Sequence, residues 1–436
     1  MLKKLIILVV LVLVGVPVFA QSVDTAWVKR YKGPGNSDDQ AYAIAVDSSG
    51  NIYVTGSSGT IKYDADGNQL WLGAWGGVDI AVDGSGNVYV TGESSYDYST
   101  IKYDPNGDTA WVRRYNGSGN YHEGARAIAV DGSGNVYVTG INYGSETYDD
   151  YATIKYYSNG DTAWIKRYNG PGNLEDYAYA IALDDSGNVY VTGCSDGGWL
   201  NWDYATLKYD PAGNQLWEKR YNGPGNGNDA ASAIAVDDSG NVYVTGYSGG
   251  SGTYDDYATI KYDPAGNQLW VQRYVRPENG GDGAKAIAVD GSGNVYVTGY
   301  SSGPGTSFDY ATIKYDPTGN QLWVQRYDGP GNDLDFARAI ALDDSGNVYV
   351  TGGSVDSGTD CDYATIKYIQ FLRGDANSDK KVSVSDVVYI INYLFKGGLA
   401  PLPAPIVGDA NCDGKVSVSD VVYLINYLFK GGPLPC

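Results

Sequence analysis

The chain has 436 residues, with 30 Lys and Arg against 51 Asp and Glu, a formal net charge of -21. A field of that sign repels nucleic acid and anionic lipid, so neither is an expected partner, whereas divalent cations and basic surfaces are. The 60 Gly and 41 Tyr, beside one His and one Met, suit short aromatic strands joined by tight turns.

The N-terminus has the pattern of a secretory signal. Lys3 and Lys4 form a basic start, Leu5 to Val16 an apolar run short for a membrane span, Pro17 a break, and Val18-Phe19-Ala20 a small-residue cleavage site. The mature chain is expected to begin near Gln21 and to be secreted, extracellular or held at the cell surface. No other stretch is apolar and long enough to span a membrane. The expected divisions are a signal at 1–20, a repeat region at 21–368 and a small module at 369–436.

Self-similarity dominates the middle of the chain. V-Y-V-T-G recurs with its Tyr at Tyr53 (after Ile52), Tyr89, Tyr137, Tyr190, Tyr243, Tyr296 and Tyr349. The spacing between Tyr137 and Tyr349 is regular, and the first two units are shortened. Each unit holds four strand-like phrases, as in Ala233 to Asp237, Asn241 to Thr245, Tyr257 to Tyr262 and Gln268 to Tyr274. Asp237-Asp238-Ser239-Gly240-Asn241 and Asp263-Pro264-Ala265-Gly266-Asn267 predict tight hairpins. Val242 and Val244 lie on one side of a strand, Tyr243 and Thr245 on the other. Both faces therefore need cover, which a radial stack of sheets supplies.

The fourth-strand Trp occurs at Trp27, Trp71, Trp111, Trp164, Trp217, Trp270 and Trp323. The first precedes any A-I-A-V-D phrase, and the last unit ends at Tyr368 without one. A closed seven-bladed ring resolves the mismatch: Ala26 to Tyr31 would complete the seventh sheet beside Ile366 to Tyr368, leaving no free edge. The recurrent A-I-A-V-D-x-S-G-N-V-Y-V-T-G and I-K-Y-D-P-x-G-N-Q-L-W phrases resemble the bacterial seven-bladed β-propeller repeat proteins (SBBP type). The resemblance covers about Gln21 to Tyr368 and implies an all-β propeller of four-stranded blades. It does not imply a ligand.

The loops after second and fourth strands, such as Ser248 to Asp256 and Asn222 to Asp229, are long and polar, so a polysaccharide or surface protein is expected on their face. Tyr148-Asp149-Asp150-Tyr151, Tyr254-Asp255-Asp256-Tyr257 and Asp309-Tyr310 repeat there. They fit turn-capping Asp with seam-covering Tyr better than a sugar- or cation-binding rim. The shortened first unit predicts a notch near Trp75 and His122, and Trp199 and Trp202 offer a second aromatic position. His122 has no Ser or Cys motif near it, and the repeats are nearly uniform, so the expectation is a non-enzymatic chain. The alternative is an extracellular glycan-active enzyme.

Two matching segments close the chain, Gly374 to Gly398 and Gly408 to Gly432, separated by the Pro-rich Pro401 to Pro405. Each opens with D-x-N-x-D in a twelve-residue loop. Calcium takes six to eight oxygens, and alternate positions of such a loop supply them. The predicted ligands of the first ion are Asp375, Asn377, Asp379, the Lys381 carbonyl, Ser383 through water, and Asp386. Those of the second are Asp409, Asn411, Asp413, the Lys415 carbonyl, Ser417 and Asp420. Gly414 provides a sharp turn where the first loop has Lys380, so the first loop is expected to bind more weakly. The runs that follow have helical spacing and stop at Gly-Gly.

This module resembles a type I dockerin, which implies an α-helical, EF-hand-like unit with two Ca2+ ions and docking to a cohesin. The positions that the resemblance assigns to partner contact are Val384, Ser385 and Lys396, and Val418, Ser419 and Lys430. The Val at Val384 and Val418 departs from the hydroxyl pair of that family, which argues against a standard cellulosomal cohesin; the expected partner is a cohesin-like protein, with intramolecular docking on the chain's own ring as a separate alternative. Cys194 and Cys361 lie in the repeats. Cys412 and Cys436 are the candidate disulfide, with free thiols as the alternative. Together these features predict a secreted scaffold that binds through the propeller and docks through a calcium-dependent module.

Overall fold

The computed structural model describes residues 41–436 apart from 65, 118–122, 144–147, 199–200, 252–253, 277–279, 304–305, 330–332, 343–345, 356–360, 369–373, 379–380, 402–404, 434 and 436. The predicted signal segment and the predicted strand Ala26 to Tyr31 lie outside the described residues. The chain divides into two compact units, with the break after Tyr368.

The repeats form seven antiparallel sheets, at 41–73, 79–115, 124–168, 176–221, 229–274, 282–327 and 335–368. The first six have four strands in chain order, and the seventh has three among the described residues. The repeat phrases explain themselves chemically. In the turn after the first strand of each of the first six sheets, one Asp side chain binds three of the residues that follow it. Asp237 accepts from the Ser239 and Asn241 backbone N–H groups through Oδ1, both at 2.9 Å, and from Asn241 Nδ2 and the Tyr243 hydroxyl through Oδ2, both at 2.8 Å. D-x-S-G-N-x-Y is therefore one hydrogen-bonded object. The Gly of V-Y-V-T-G is fixed by crowding: a Cβ on Gly246 would stand 2.0 Å from the Ala230 carbonyl oxygen.

Successive sheets pack face to face. The Tyr of one V-Y-V-T-G lies among the core of the next sheet, as Tyr243 does with Ala284, Val295, Val297, Ala311 and Ile313. A second Tyr, near the start of the third strand in the second to sixth sheets, donates its hydroxyl across the seam to an Ala carbonyl, as Tyr151 to Ala205 at 3.1 Å, Tyr204 to Ala258 at 3.1 Å and Tyr257 to Ala311 at 3.0 Å. At the first five seams a Lys and a Trp also share one turn carbonyl. Lys208 Nζ and Trp217 Nε1 both donate to Pro264, at 3.1 and 3.2 Å.

Six such seams join the seven sheets. Among the described residues the seventh sheet makes no corresponding cluster with the first. Ile44 is 65 % exposed, although its counterparts Ile80 and Ile128 are 7 % exposed. Tyr349 is half-buried, whereas Tyr296 in the preceding sheet is buried.

The second unit holds α1 (Val384–Lys396) and α2 (Val418–Lys430). Ser383 and Ser417 are N-caps, each in a reciprocal capping box with Asp386 or Asp420, and Gly397 and Gly431 end the helices in the left-handed region. Val387, Ile390, Val421 and Leu424 meet Ala376 and Ala410 in a common core. No helix among the described residues is long and apolar enough to cross a membrane.

Candidate functional site

The second loop draws its predicted ligands together. The Asp409 carboxylate accepts from the Asp413 N–H at 3.1 Å through Oδ1 and from the Gly414 N–H at 2.9 Å through Oδ2. Asn411 Oδ1 accepts from Asp413 N–H at 3.0 Å, and Asp413 Oδ1 from Lys415 N–H at 3.0 Å. Asp420 ties the last ligand position to the third: its Oδ1 accepts from Asn411 N–H at 3.2 Å, and its Oδ2 from Ser417 N–H at 2.8 Å. Gly414 sits at φ +83°, which the sharp turn requires.

The first loop repeats the tie. Asp386 accepts from Asn377 N–H at 3.2 Å and from Ser383 N–H at 2.8 Å. Asp375, Asp386, Asp409 and Asp420 are all buried. Asp379 and Lys380 lie outside the described residues, and Lys381 is exposed. Concentrated carboxylate and amide oxygens in a tight loop form a hard-donor set, which fits calcium. The chemistry such an ion supplies is charge neutralisation of the loop, and with it the ordering of the helix that follows.

Ser385 and Ser419, expected at a partner contact, are also tied to the loops. Asn377 Nδ2 donates to Ser385 Oγ, and Asn411 Nδ2 to Ser419 Oγ, both at 3.0 Å. Beside them the helices expose matching apolar residues. Val384 and Val418 are 50 % and 53 % exposed, Phe395 and Phe429 65 % and 66 %, and Val388 and Val422 complete the two stripes. Lys396 and Lys430 are exposed at the helix ends. Cys412 is disulfide-bonded. Cys436, its expected partner, lies outside the described residues.

On the sheets, the acidic-aromatic pairs are built into the seams. Asp256 and Asp309 are buried, and each meets an Arg of the neighbouring strand: Arg273 at 2.8 Å and Arg326 at 2.8 Å. The Asp therefore forms an ion pair instead of capping a turn, while Tyr257 and Tyr310 fill the seam. Trp75 is exposed, with its backbone N–H donating to the Tyr103 hydroxyl at 3.0 Å. Trp202 packs on Tyr177, ring centroids 5.0 Å apart. His122 and Trp199 lie outside the described residues.

A cavity that sequence reasoning missed lies on the first strands. It has about 420 Å3 and is walled by Tyr179, Ala230, Ser232, Tyr247, Lys285 and Arg338 from the fourth to seventh sheets. Tyr179, Ser232, Lys285 and Arg338 occupy the same slot of successive repeats, the middle of A-x-A-I-A. A register shift beside this slot in each sheet turns the residue out of the ladder. Desolvation, and next the Arg338 charge, lower the Lys285 ammonium pKa. Lys285 Nζ lies 5.6 Å from the Tyr300 ring centroid. Among the described residues neither cation has a carboxylate partner. Variability at one slot of a near-uniform repeat was the available clue.

Residues 26–60, 163–198, 220–252, 278–306 and 322–354 match the SBBP Beta-propeller repeat, and residues 373–429 match the Dockerin type I domain. An uncharacterized WD repeat-containing protein of Acanthamoeba polyphaga mimivirus is 28 % identical over 157 residues, covering 27 % of this chain and 11 % of that protein. The extracellular domain of a hybrid two component system from B. thetaiotaomicron has 14 % identity and a TM-score of 0.45, over 72 % of this chain and 38 % of that one. A puromycin hydrolase has 14 % identity and a TM-score of 0.48, over 76 % and 52 % of the two chains. The chain thus spans a small part of the curated relative and well under two thirds of those two structures. Likenesses this distant bear on no activity. The chain carries Beta-propeller repeats of the SBBP type followed by a type I dockerin domain.

Proposed function

We propose that this protein is a secreted or surface-held, non-enzymatic scaffold that docks through calcium and binds through its propeller. Two Ca2+ ions order the dockerin loops, one in each. The exposed stripes Val384, Val388, Phe395 and Val418, Val422, Phe429 then present one apolar surface per helix to a cohesin-like partner. The observation that carries this reading is the duplication itself: both copies bury the closing Asp and leave the same Val and Phe uncovered. A charged or hydroxyl-rich cohesin face would fit Val384 and Val418 poorly, so the partner offers apolar cover at those positions.

The propeller is proposed to close as a ring of seven, with Ala26 to Tyr31 as the missing strand and the seventh sheet covering Ile44. The exposed Ile44 and half-buried Tyr349 support it, since the Tyr counterparts in the other sheets are buried and the Ile counterparts are buried or half-buried. The inner cavity is proposed to receive the acid groups of an anionic polysaccharide, with Lys285 and Arg338 supplying charge and Tyr179 and Tyr247 supplying stacking faces.

A pull-down with purified type I cohesin domains, in calcium and in chelator, tests the docking. Capture in calcium that is lost in chelator and weakened by Val384→Asp with Val418→Asp is expected. Binding that is indifferent to chelator, or absent with every cohesin tried, overturns it.

A further inference from the structure

At the seam between the sixth and seventh sheets, three carboxylates converge. Oxygen atoms of Asp309, Asp328 and Asp335 all lie within 4.8 Å of one another. Two of the three belong to the repeat. Asp203 and Asp229, and Asp256 and Asp282, are the equivalent pairs at the two preceding seams, 26 residues apart in the chain. The third is peculiar to this seam: the position held by Asp328 is Asn169, Asn222 and Val275 in the three units before it.

Each member of the pair gives one oxygen to a protein partner and keeps the other back. Asp309 is 4 % exposed and Asp335 is 0 % exposed. Asp309 uses Oδ2 for Arg326, at 2.8 Å, and Asp335 uses Oδ2 for the Gly329 N–H, at 2.7 Å. The Oδ1 atoms of both are buried without a hydrogen-bond partner. A buried carboxylate oxygen left so is costly, and a third negative charge beside it adds repulsion. Asp328 is exposed and brings the third carboxylate to the buried pair. Against three carboxylates stands one guanidinium, which leaves a local charge of two negatives.

We propose that Asp309, Asp328 and Asp335 form a divalent-cation site on the propeller, separate from the dockerin loops, and that calcium is its ion. Oxygens at about 2.4 Å from a common calcium lie at most about 4.8 Å apart, which matches the observed spread. The ion takes the free Oδ1 atoms of Asp309 and Asp335 and one oxygen of Asp328, and water completes the shell. With only three protein side chains the affinity belongs with weak extracellular sites, with a Kd on the order of 10⁻⁴ to 10⁻³ M. Because Asp309 and Asp335 come from neighbouring sheets, the ion would clamp the sixth seam. The inference is independent of calcium binding by the C-terminal loops.

The test uses the full chain carrying Asp375→Ala and Asp409→Ala, which weaken the two dockerin loops, with and without Asp328→Asn. Bound calcium is counted by equilibrium dialysis at about 2 mM free ion, the range such weak sites need. Asp328→Asn restores the residue that two other seams already carry, and unchanged Trp fluorescence verifies the fold. The expected result is one fewer ion per chain with Asp328→Asn, together with loss of the calcium-induced rise in the propeller melting temperature. An equal ion count with and without Asp328→Asn overturns the proposal, whatever the dockerin loops do.

Discussion

Tyr204 reaches out of the fourth sheet and donates its hydroxyl to the carbonyl of Ala258 in the fifth, at 3.1 Å, with both residues fully buried. The same bond recurs at neighbouring seams, so successive sheets are held by repeated single contacts as well as apolar packing. Tyr204→Phe keeps the ring in place and loses the bond, which predicts a loss of about 1 kcal/mol. Gly246→Ala meets a backbone oxygen that no rotamer can avoid, and it is expected to cost more than Tyr204→Phe. Urea melts followed by Trp fluorescence compare the two. All 10 Trp lie in the repeat region, so that signal reports the propeller. Equal effects would contradict the crowding argument.

Stability should fall as pH rises from mildly acid to neutral. Burial raises Asp79, Asp176 and Asp282 to about 6. A carboxyl raised on folding binds more protons in the native state, so its contribution is full below about pH 4, the unfolded value, and is lost as pH rises through 6. The turn residues Asp131, Asp184 and Asp237 act in the opposite sense. Burial opposes their ionisation, but hydrogen bonds from Asn and Tyr side chains and backbone N–H groups outweigh it and lower their pKa. Their contribution is present above the unfolded value and is lost as pH falls. The Trp-monitored melting temperature in chelator is expected to peak between about pH 4 and 6, and Asp282→Asn should flatten its fall toward neutrality. A midpoint climbing steadily from pH 5 to pH 7.5 would reject this account.

The calcium loops separate two roles of carboxylate. Asp420 closes the capping box of α2 as well as the proposed ligand set, so Asp420→Ala should destabilise the module even in chelator, by about 0.5–2 kcal/mol. Asp413 is exposed and meets α2 through a long bond from the Ser419 hydroxyl, at 3.4 Å, so Asp413→Ala should change the chelated module far less than Asp420→Ala and chiefly reduce the gain from calcium. That gain is about 2.7 kcal/mol when free calcium is a hundredfold above Kd. Far-ultraviolet circular dichroism with and without calcium reads both. If both variants lose the same amount in chelator, Asp420 has no separate capping role.

How much was legible in the sequence depended on the reach of each interaction. The turn object Asp237 to Tyr243 and the loop Asp409 to Asp420 are local, so their order along the chain reveals them. The seam role of Tyr257 was also legible, because its spacing repeats. The ion pair of Asp256 with Arg273 was not, since it depends on how the third and fourth strands register. Nor was the cavity at Lys285 and Arg338: each residue looks like an ordinary exposed position until four sheets bring the same slot together. Asp328 differs from Asn222 by one atom type, and only the burial of Asp309 and Asp335 beside it gives that difference weight.

The cavity offers the sharpest separation of charge from shape. Lys285 lies close enough to Arg338 to feel its charge, in a chain whose net charge is -21. An anionic ligand there would be held against the field of the rest of the protein, so its affinity should fall steeply with salt. Polygalacturonate is expected to retard the protein in an affinity gel where neutral dextran does not. Lys285→Glu with Arg338→Glu should abolish that retardation, and Lys285→Gln should weaken it several-fold. Tyr179→Ala should weaken binding at every salt concentration, because stacking is screened little. If retardation persists in the double charge reversal, the polymer binds elsewhere and the cavity is not its site. If polygalacturonate is instead shortened on incubation, and a single carboxylate substitution stops it, the protein is an enzyme and the scaffold reading fails.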